Sequence, residues 1–179
     1  MRIISGIYKS RKIVAPKNLP VRPTTDMAKE GLFNVLNNRY YFDDISVLDL
    51  FAGTGNISYE FASRGTENIL CVDQDFGCIK FINETASTYN MPIQTIKSDV
   101  FKFLEKANQQ FDIIFADPPY GFSEEQFVKI PELVFANNLL TDEGLLIVEH
   151  SKNTNLSNIP NHSFSKSYGG NVFSFFEIV

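Results

Sequence analysis

Short apolar runs alternate with longer amphipathic ones along most of the chain. Ile45–Phe51, Asn68–Asp73, Ile93–Lys97, Phe111–Ala116 and Gly144–Glu149 are compact, largely β-branched or aromatic stretches, the pattern of strands buried in a sheet. Between them Asn56–Arg64, Phe76–Tyr89, Val100–Ala107 and Glu124–Asn137 space their apolar residues as helices do. Strand and helix in strict alternation require right-handed crossovers, hence an α/β fold with a mostly parallel sheet covered on both faces. The end of the chain differs. Ser163–Tyr168 and Asn171–Val179 are strand-like and joined by Gly169-Gly170, which predicts a hairpin and an antiparallel member at the sheet's end.

The beginning also differs. Residues 2–8 and 11–15 gather apolar side chains around Lys9-Ser10, predicting a short hairpin. A loop with Pro16, Pro20 and Pro23 follows, and Thr24-Thr25-Asp26 supplies the cap of a helix with Met27, Leu32, Val35 and Leu36 on one face. Phe33 and Asn34 lie towards the end of that helix, close enough to the first strand to touch a ligand. Gly31 inside it costs about 1 kcal/mol relative to Ala.

Composition narrows the class. The chain has 179 residues, 44% hydrophobic and 21% charged, which suits one globular domain and excludes a disordered chain or a coiled coil. No apolar run reaches the length of a membrane helix and the N-terminus lacks a signal-peptide pattern, so a cytoplasmic protein is expected; a monomer is expected separately. Cys71 and Cys78 are too few for a disulfide framework and read as packing residues. His150 and His162 (the latter placed in a loop) have no partner at ligand spacing, so no metal is expected.

Charge changes the picture more. The net charge is -5, but residues 1–40 carry eight Lys or Arg and two acids, leaving the rest strongly acidic. A basic arm on an acidic body suggests that Arg2, Lys9, Arg11, Lys12, Lys17 and Arg22 meet a polyanion. The expected division is a basic extension over 1–40 and a ligand-binding domain over 41–179. A solvated basic hairpin is the simpler alternative.

Two segments carry chemistry. In Val47–Asn56 a strand runs into Phe51-Ala52-Gly53-Thr54-Gly55, whose glycines permit a tight turn and close approach to a ligand. Asp73 ends the next strand, at the distance where an acid takes ribose hydroxyls. Ser58 replaces the third glycine of the dinucleotide pattern and no phosphate-gripping lysine is present. Asp49 before the loop suits a cationic amino group, and Asp99-Val100 at the third strand's end suits an adenine. A loop that holds a nucleoside and a zwitterion without pyrophosphate suits S-adenosylmethionine better than a nicotinamide dinucleotide. The second segment is Asp117-Pro118-Pro119-Tyr120 at the end of the fourth strand, where open parallel sheets bind ligands. The prolines fix φ and remove two N–H groups, leaving only acceptors. Asp117 and the Pro118 carbonyl can take both hydrogens of an exocyclic base amine and localise its lone pair. Tyr120 can stack on the base, which must leave its own stack to arrive there.

These motifs resemble class I methyltransferases, and more narrowly the RsmD family of 16S rRNA guanine-N2 methyltransferases. The resemblance rests on Met1–Gly6, Arg22-Pro23-Thr24-Thr25-Asp26, Leu32-Phe33-Asn34, Val47–Gly55, Asp117–Tyr120 and Tyr168-Gly169-Gly170. It implies a seven-stranded sheet of Rossmann-like form and methylation of guanine 966 in the small ribosomal subunit. The family often has Arg-Glu before Leu-Phe-Asn, where this chain has Lys29-Glu30-Gly31, and Phe where it has Tyr120. A DNA adenine or cytosine amino methyltransferase and a non-catalytic RNA-binding assembly factor are the alternatives on the same fold.

Overall fold

A computed structural model describes residues 1–179. The sheet has seven strands: β1 (Ser46–Leu50), β2 (Asn68–Asp73), β3 (Ile93–Lys97), β4 (Phe111–Ala116), β5 (Leu140–Ser151), β6 (His162–Tyr168) and β7 (Asn171–Glu177). Their order is β3-β2-β1-β4-β5-β7-β6. Strands β1 to β5 are mutually parallel, and β7 runs antiparallel between β5 and β6. The terminal hairpin is therefore where the sequence puts it. The order reverses beside β1, so the C-terminal ends of β1 and β4 flank the crevice in which open sheets bind ligands.

Alternate residues of the central strands feed two cores. Val47, Ile69, Cys71, Ile113 and Phe115 face a layer holding α1 (Asp26–Asn37), α2 (Asn56–Ser63) and α3 (Phe76–Tyr89). Leu48, Leu50, Val72, Ile114 and Ala116 face α4 (Val100–Lys106) and α5 (Glu124–Ala136). Both faces are covered, so continuous apolar runs are tolerated where an open sheet would alternate with polar residues. No helix is long and apolar enough to cross a membrane.

Several boundaries differ from the sequence pattern. The N-terminal hairpin reduces to a single antiparallel bridge between Arg2 and Lys12, closed by backbone bonds such as Ile13 N–H to Met1 O (2.9 Å). Its order comes instead from the body. The Glu60 carboxylate in α2 accepts the N–H groups of Ile4 (2.8 Å) and Ser5 (3.1 Å), and Ile3 and Ile13 enter the first core. Met27 is exposed; the buried face of α1 is Ala28, Lys29, Leu32, Phe33 and Leu36. Strand β5 starts at Leu140 rather than Gly144, because polar Thr141–Glu143 mask a strand start that a bulge in its pairing with β4 accommodates. His162 opens β6 rather than lying in a loop.

Buried Lys29 joins arm, helix and core. Its Nζ donates to Arg2 O (2.6 Å) and Asn56 Oδ1 (2.8 Å) and lies 3.5 Å from Glu60, which also pairs with Arg64 (2.9 Å). Burial pulls the Lys29 pKa down and Glu60 opposes that shift. Removing one partner of such a group leaves a buried charge uncompensated, so the network fixes the arm's position more than it adds stability.

Candidate active site

The glycine loop departs from β1 in left-handed backbone. Phe51, Gly53 and Gly55 have φ of 56°, 57° and 86°. Phe51 is strained there, and Gly55 has a further reason to lack a side chain: a Cβ would lie 2.7 Å from the Tyr59 ring. Asp73, at the end of β2, braces the loop. Its two carboxylate oxygens accept Gly53 N–H and Asp75 N–H, each at 2.8 Å, and each oxygen keeps a lone pair for a ligand. Ala52 N–H donates to Val72 O at 3.1 Å.

Asp49 lies buried beneath the loop and accepts the Ser58 hydroxyl at 2.6 Å. Ser58, which breaks the three-glycine pattern, thus serves as the donor to this acid. Burial pushes the Asp49 carboxyl up to about 7, with Asp73 adding to the rise and Ser58 easing it. Asp99 is the N-cap of α4, accepting Lys102 N–H at 3.0 Å, and Val100 begins the helix buried. Phe101 beside them stacks on Phe122 (5.8 Å), and both meet Phe51 edge-on, joining the ends of β1, β3 and β4 through one aromatic wall.

Strand β4 delivers Asp117-Pro118-Pro119-Tyr120 beside this loop, the Asp117 N–H facing Leu50 O at 3.4 Å. Pro118 is buried, while Pro119 and Tyr120 are exposed. Asp117, Pro118 and Tyr120 line one wall of a small cleft of about 30 Å³; Glu149, His150, Ser151, Thr154 and Asn171 form the other. Burial, with Glu149 and Asp49 nearby, holds the Asp117 carboxyl well above the usual range. Burial raises Glu149 to about 7 despite donors at Thr24 (2.7 Å) and Asn171 (2.9 Å).

The structure brings Asp49, Asp73, Asp117 and Glu149 to the C-terminal edge of the sheet. None has an ion pair; the molecule's six pairs lie elsewhere. Four carboxyls without a counter-cation, two of them pushed up to about 7 by burial, favour a positively charged ligand. They do not form a metal cage, since no three His, Cys, Asp or Glu side chains converge on one point.

The proline-rich loop roofs this edge. A side chain at Gly77 would come within 2.7 Å of Leu19, and one at Gly53 within 3.1 Å of Val21. The Arg22 guanidinium sits over the Tyr120 ring at 5.4 Å, and the Thr24 hydroxyl reaches Glu149. One segment therefore spans the glycine loop and the acceptor turn. Of the other basic residues, all exposed, Arg2 pairs with Asp26 at 3.3 Å and Arg11 lies over Tyr8 and Tyr89. Lys9, Lys12 and Lys17 carry free charge on the arm.

Phe33 does not reach the cleft. It is buried against Phe42, Phe61 and the Arg64 guanidinium, and Asn34 is exposed. His150 is a wall residue held by Ser174 (2.7 Å) and the Ser151 carbonyl (2.8 Å). Glu149, Thr24 and Asn171 escape a reading of the sequence. Their one visible signal is that Glu149 closes the apolar run read as the fifth strand, although β5 itself continues to Ser151.

A mostly parallel sheet with this strand order, an acid-ended second strand and an acceptor turn after β4 defines a Rossmann-like methyltransferase. Residues 1–177 match the family described as conserved hypothetical protein 95, and the chain belongs to it. The Bacillus subtilis protein YlbH, provisionally named an rRNA methyltransferase, is 35% identical over 87% of this chain and 85% of its own. Ribosomal RNA small subunit methyltransferase D of Escherichia coli is 31% identical over 89% of this chain and 79% of its own. The structure of the E. coli protein yhhF, provisionally named a methyltransferase, superposes with a TM-score of 0.83 at 30% identity, covering 98% of this chain and 96% of that one.

Proposed function

We propose that this protein transfers a methyl group from S-adenosylmethionine to the exocyclic N2 amine of a guanine in 16S rRNA, guanine 966 being the position that the family resemblance implies. The observation that carries the reading is the all-acceptor turn Asp117–Tyr120 set against the glycine loop through the contact between Asp117 N–H and Leu50 O. The small-subunit rRNA named in the relatives, and the exposed basic arm, point to the substrate.

The four carboxyls suit a sulfonium that also bears an ammonium group. Asp73 and the Gly53–Gly55 turn hold the nucleoside, with Phe51, Ala52, Asp99 and Val100 around the adenine, and Asp49 draws the amino group. S-adenosylmethionine supplies an electrophilic methyl there. The chain's own work is on the acceptor. Asp117 and the Pro118 carbonyl take the two amine hydrogens, which turns the nitrogen lone pair out of the ring's π system. Tyr120 stacks on the base and fixes its angle, so positioning supplies most of the rate. As nitrogen gains its new bond it becomes acidic, and the ionised Asp117 carboxylate, whose hold on a proton burial strengthens, receives the one it releases. Arg2, Lys9, Arg11, Lys12, Lys17 and Arg22 hold phosphates.

Incubation with methyl-labelled cofactor and small ribosomal subunits, followed by nucleoside analysis, tests this. The label should appear as N2-methylguanosine at one site, and transfer should fall steeply with added salt. Label on adenine or cytosine, or transfer to duplex DNA instead, contradicts the reading.

A further inference from the structure

We propose that Glu149 reads the N1–H of the target base, making the site selective for a base whose ring nitrogen beside the amine is a donor. This rests on the guanine-N2 reading above and extends it to the residue that chooses the base.

The register that pairs Ala116 with Val148 brings Glu149 of β5 alongside Asp117, the residue that follows β4. Both line the cleft that Tyr120 borders. Guanine presents two donors on neighbouring atoms of one edge, N2–H and N1–H. Adenine and cytosine place an acceptor next to their amine. With both carboxyls ionised, a wall made of Asp117, the Pro118 carbonyl and Glu149 offers acceptors only, so it matches the guanine edge and opposes the other two.

Glu149 is built for a ligand rather than for a salt bridge. It is 6% exposed, has no cation, and is held from behind by Thr24 (2.7 Å) and Asn171 (2.9 Å). Those two donors engage one lone pair on each oxygen and leave the others for the cleft. Adjacent His150 supplies no charge, because burial pulls its pKa down and its ring nitrogens are engaged by Ser174 and the Ser151 carbonyl. A buried carboxyl with only two neutral donors is costly until a further donor arrives. A base edge is that donor. A purely structural latch, tying the proline-rich loop and β7 to β5, would not need its carboxyl to line a cleft.

The test compares an rRNA hairpin carrying guanine at the target with one carrying 2-aminopurine, which keeps the 2-amino group but has an acceptor at N1. The wild-type protein should prefer guanine by roughly ten- to a hundredfold in single-turnover rate. In Glu149→Gln, whose amide can donate to that acceptor, the preference should shrink to about threefold or less. Asn171→Ala, which frees one side of the carboxylate, should shrink it partially. Thermal melting and cofactor calorimetry establish that each variant is folded. Equal wild-type rates on the two RNAs overturn the inference, as does a Glu149→Gln variant that slows both by the same factor. Failure of the wild-type protein to methylate the guanine hairpin overturns the guanine reading itself, and the inference with it.

Discussion

Asp49 illustrates how a single residue can be placed against its own stability. Its folded carboxyl titrates near 7 because burial disfavours the charge, whereas the unfolded one titrates near 4. The folded state thus holds the proton more tightly. Asp49's contribution to stability is complete below about pH 4 and is lost as pH rises through about 7. Asp49→Asn keeps an oxygen for the Ser58 hydroxyl and carries no charge. It should stabilise the ligand-free protein at pH 8, by up to roughly 4 kcal/mol, and change little at pH 4.5. It should also weaken S-adenosylmethionine binding. Melting temperature against pH and calorimetry check both; a gain independent of pH contradicts the burial account. The places of Asp49, Asp73, Asp117 and Tyr120 around one sheet edge were legible because strand ends and turn chemistry expose them in the sequence. Glu149 was not, since one acid at a strand end carries no signal until the register sets it beside Asp117.

Gly31 was legible only as a defect of its element. The structure supplies its reason: a Cβ there would lie 2.2 Å from the Tyr168 ring, which packs from the terminal hairpin onto the backbone of α1. Gly31→Ala should therefore destabilise the protein by about 1–3 kcal/mol through overpacking, despite a better helix propensity. In a Tyr168→Ala background the same change should become neutral or stabilising, by up to about 1 kcal/mol. Urea denaturation of the double-mutant cycle reads this coupling. An undiminished penalty in that background would falsify the Tyr168 contact as the cause. The helices and parallel strands were readable from period alone. The start of β5 and the shortness of the N-terminal hairpin were not, because pairing across the fold decided them: β4 extends β5 through a polar stretch, and Glu60 takes the N–H groups of Ile4 and Ser5 just past the paired residues.

At the scale of the whole molecule, arm, roof and sheet edge form one working unit. Glu60 and Lys29 fasten the arm to α1 and α2, and the roof then runs from Leu19 over the glycine loop to Arg22 on Tyr120 and Thr24 on Glu149. Of the basic residues of the arm, Arg22 is the one set over the acceptor turn, while Arg11 lies over Tyr8 and Tyr89 at the end of α3. That a loop rich in proline becomes a roof could not be read locally, since the contacts that hold it are more than 30 residues away in the chain. In the function proposed above, the assembly offers a base a rigid corner of acceptors beside the methyl donor, with Asp117 at its centre. The most direct measurement is single-turnover methyl transfer by Asp117→Ala alongside calorimetry of S-adenosylmethionine binding. Transfer should drop about 10²- to 10³-fold, with cofactor affinity within about threefold of wild type. Lost cofactor affinity with an unchanged transfer rate from the bound complex would contradict a role for Asp117 in activating the amine.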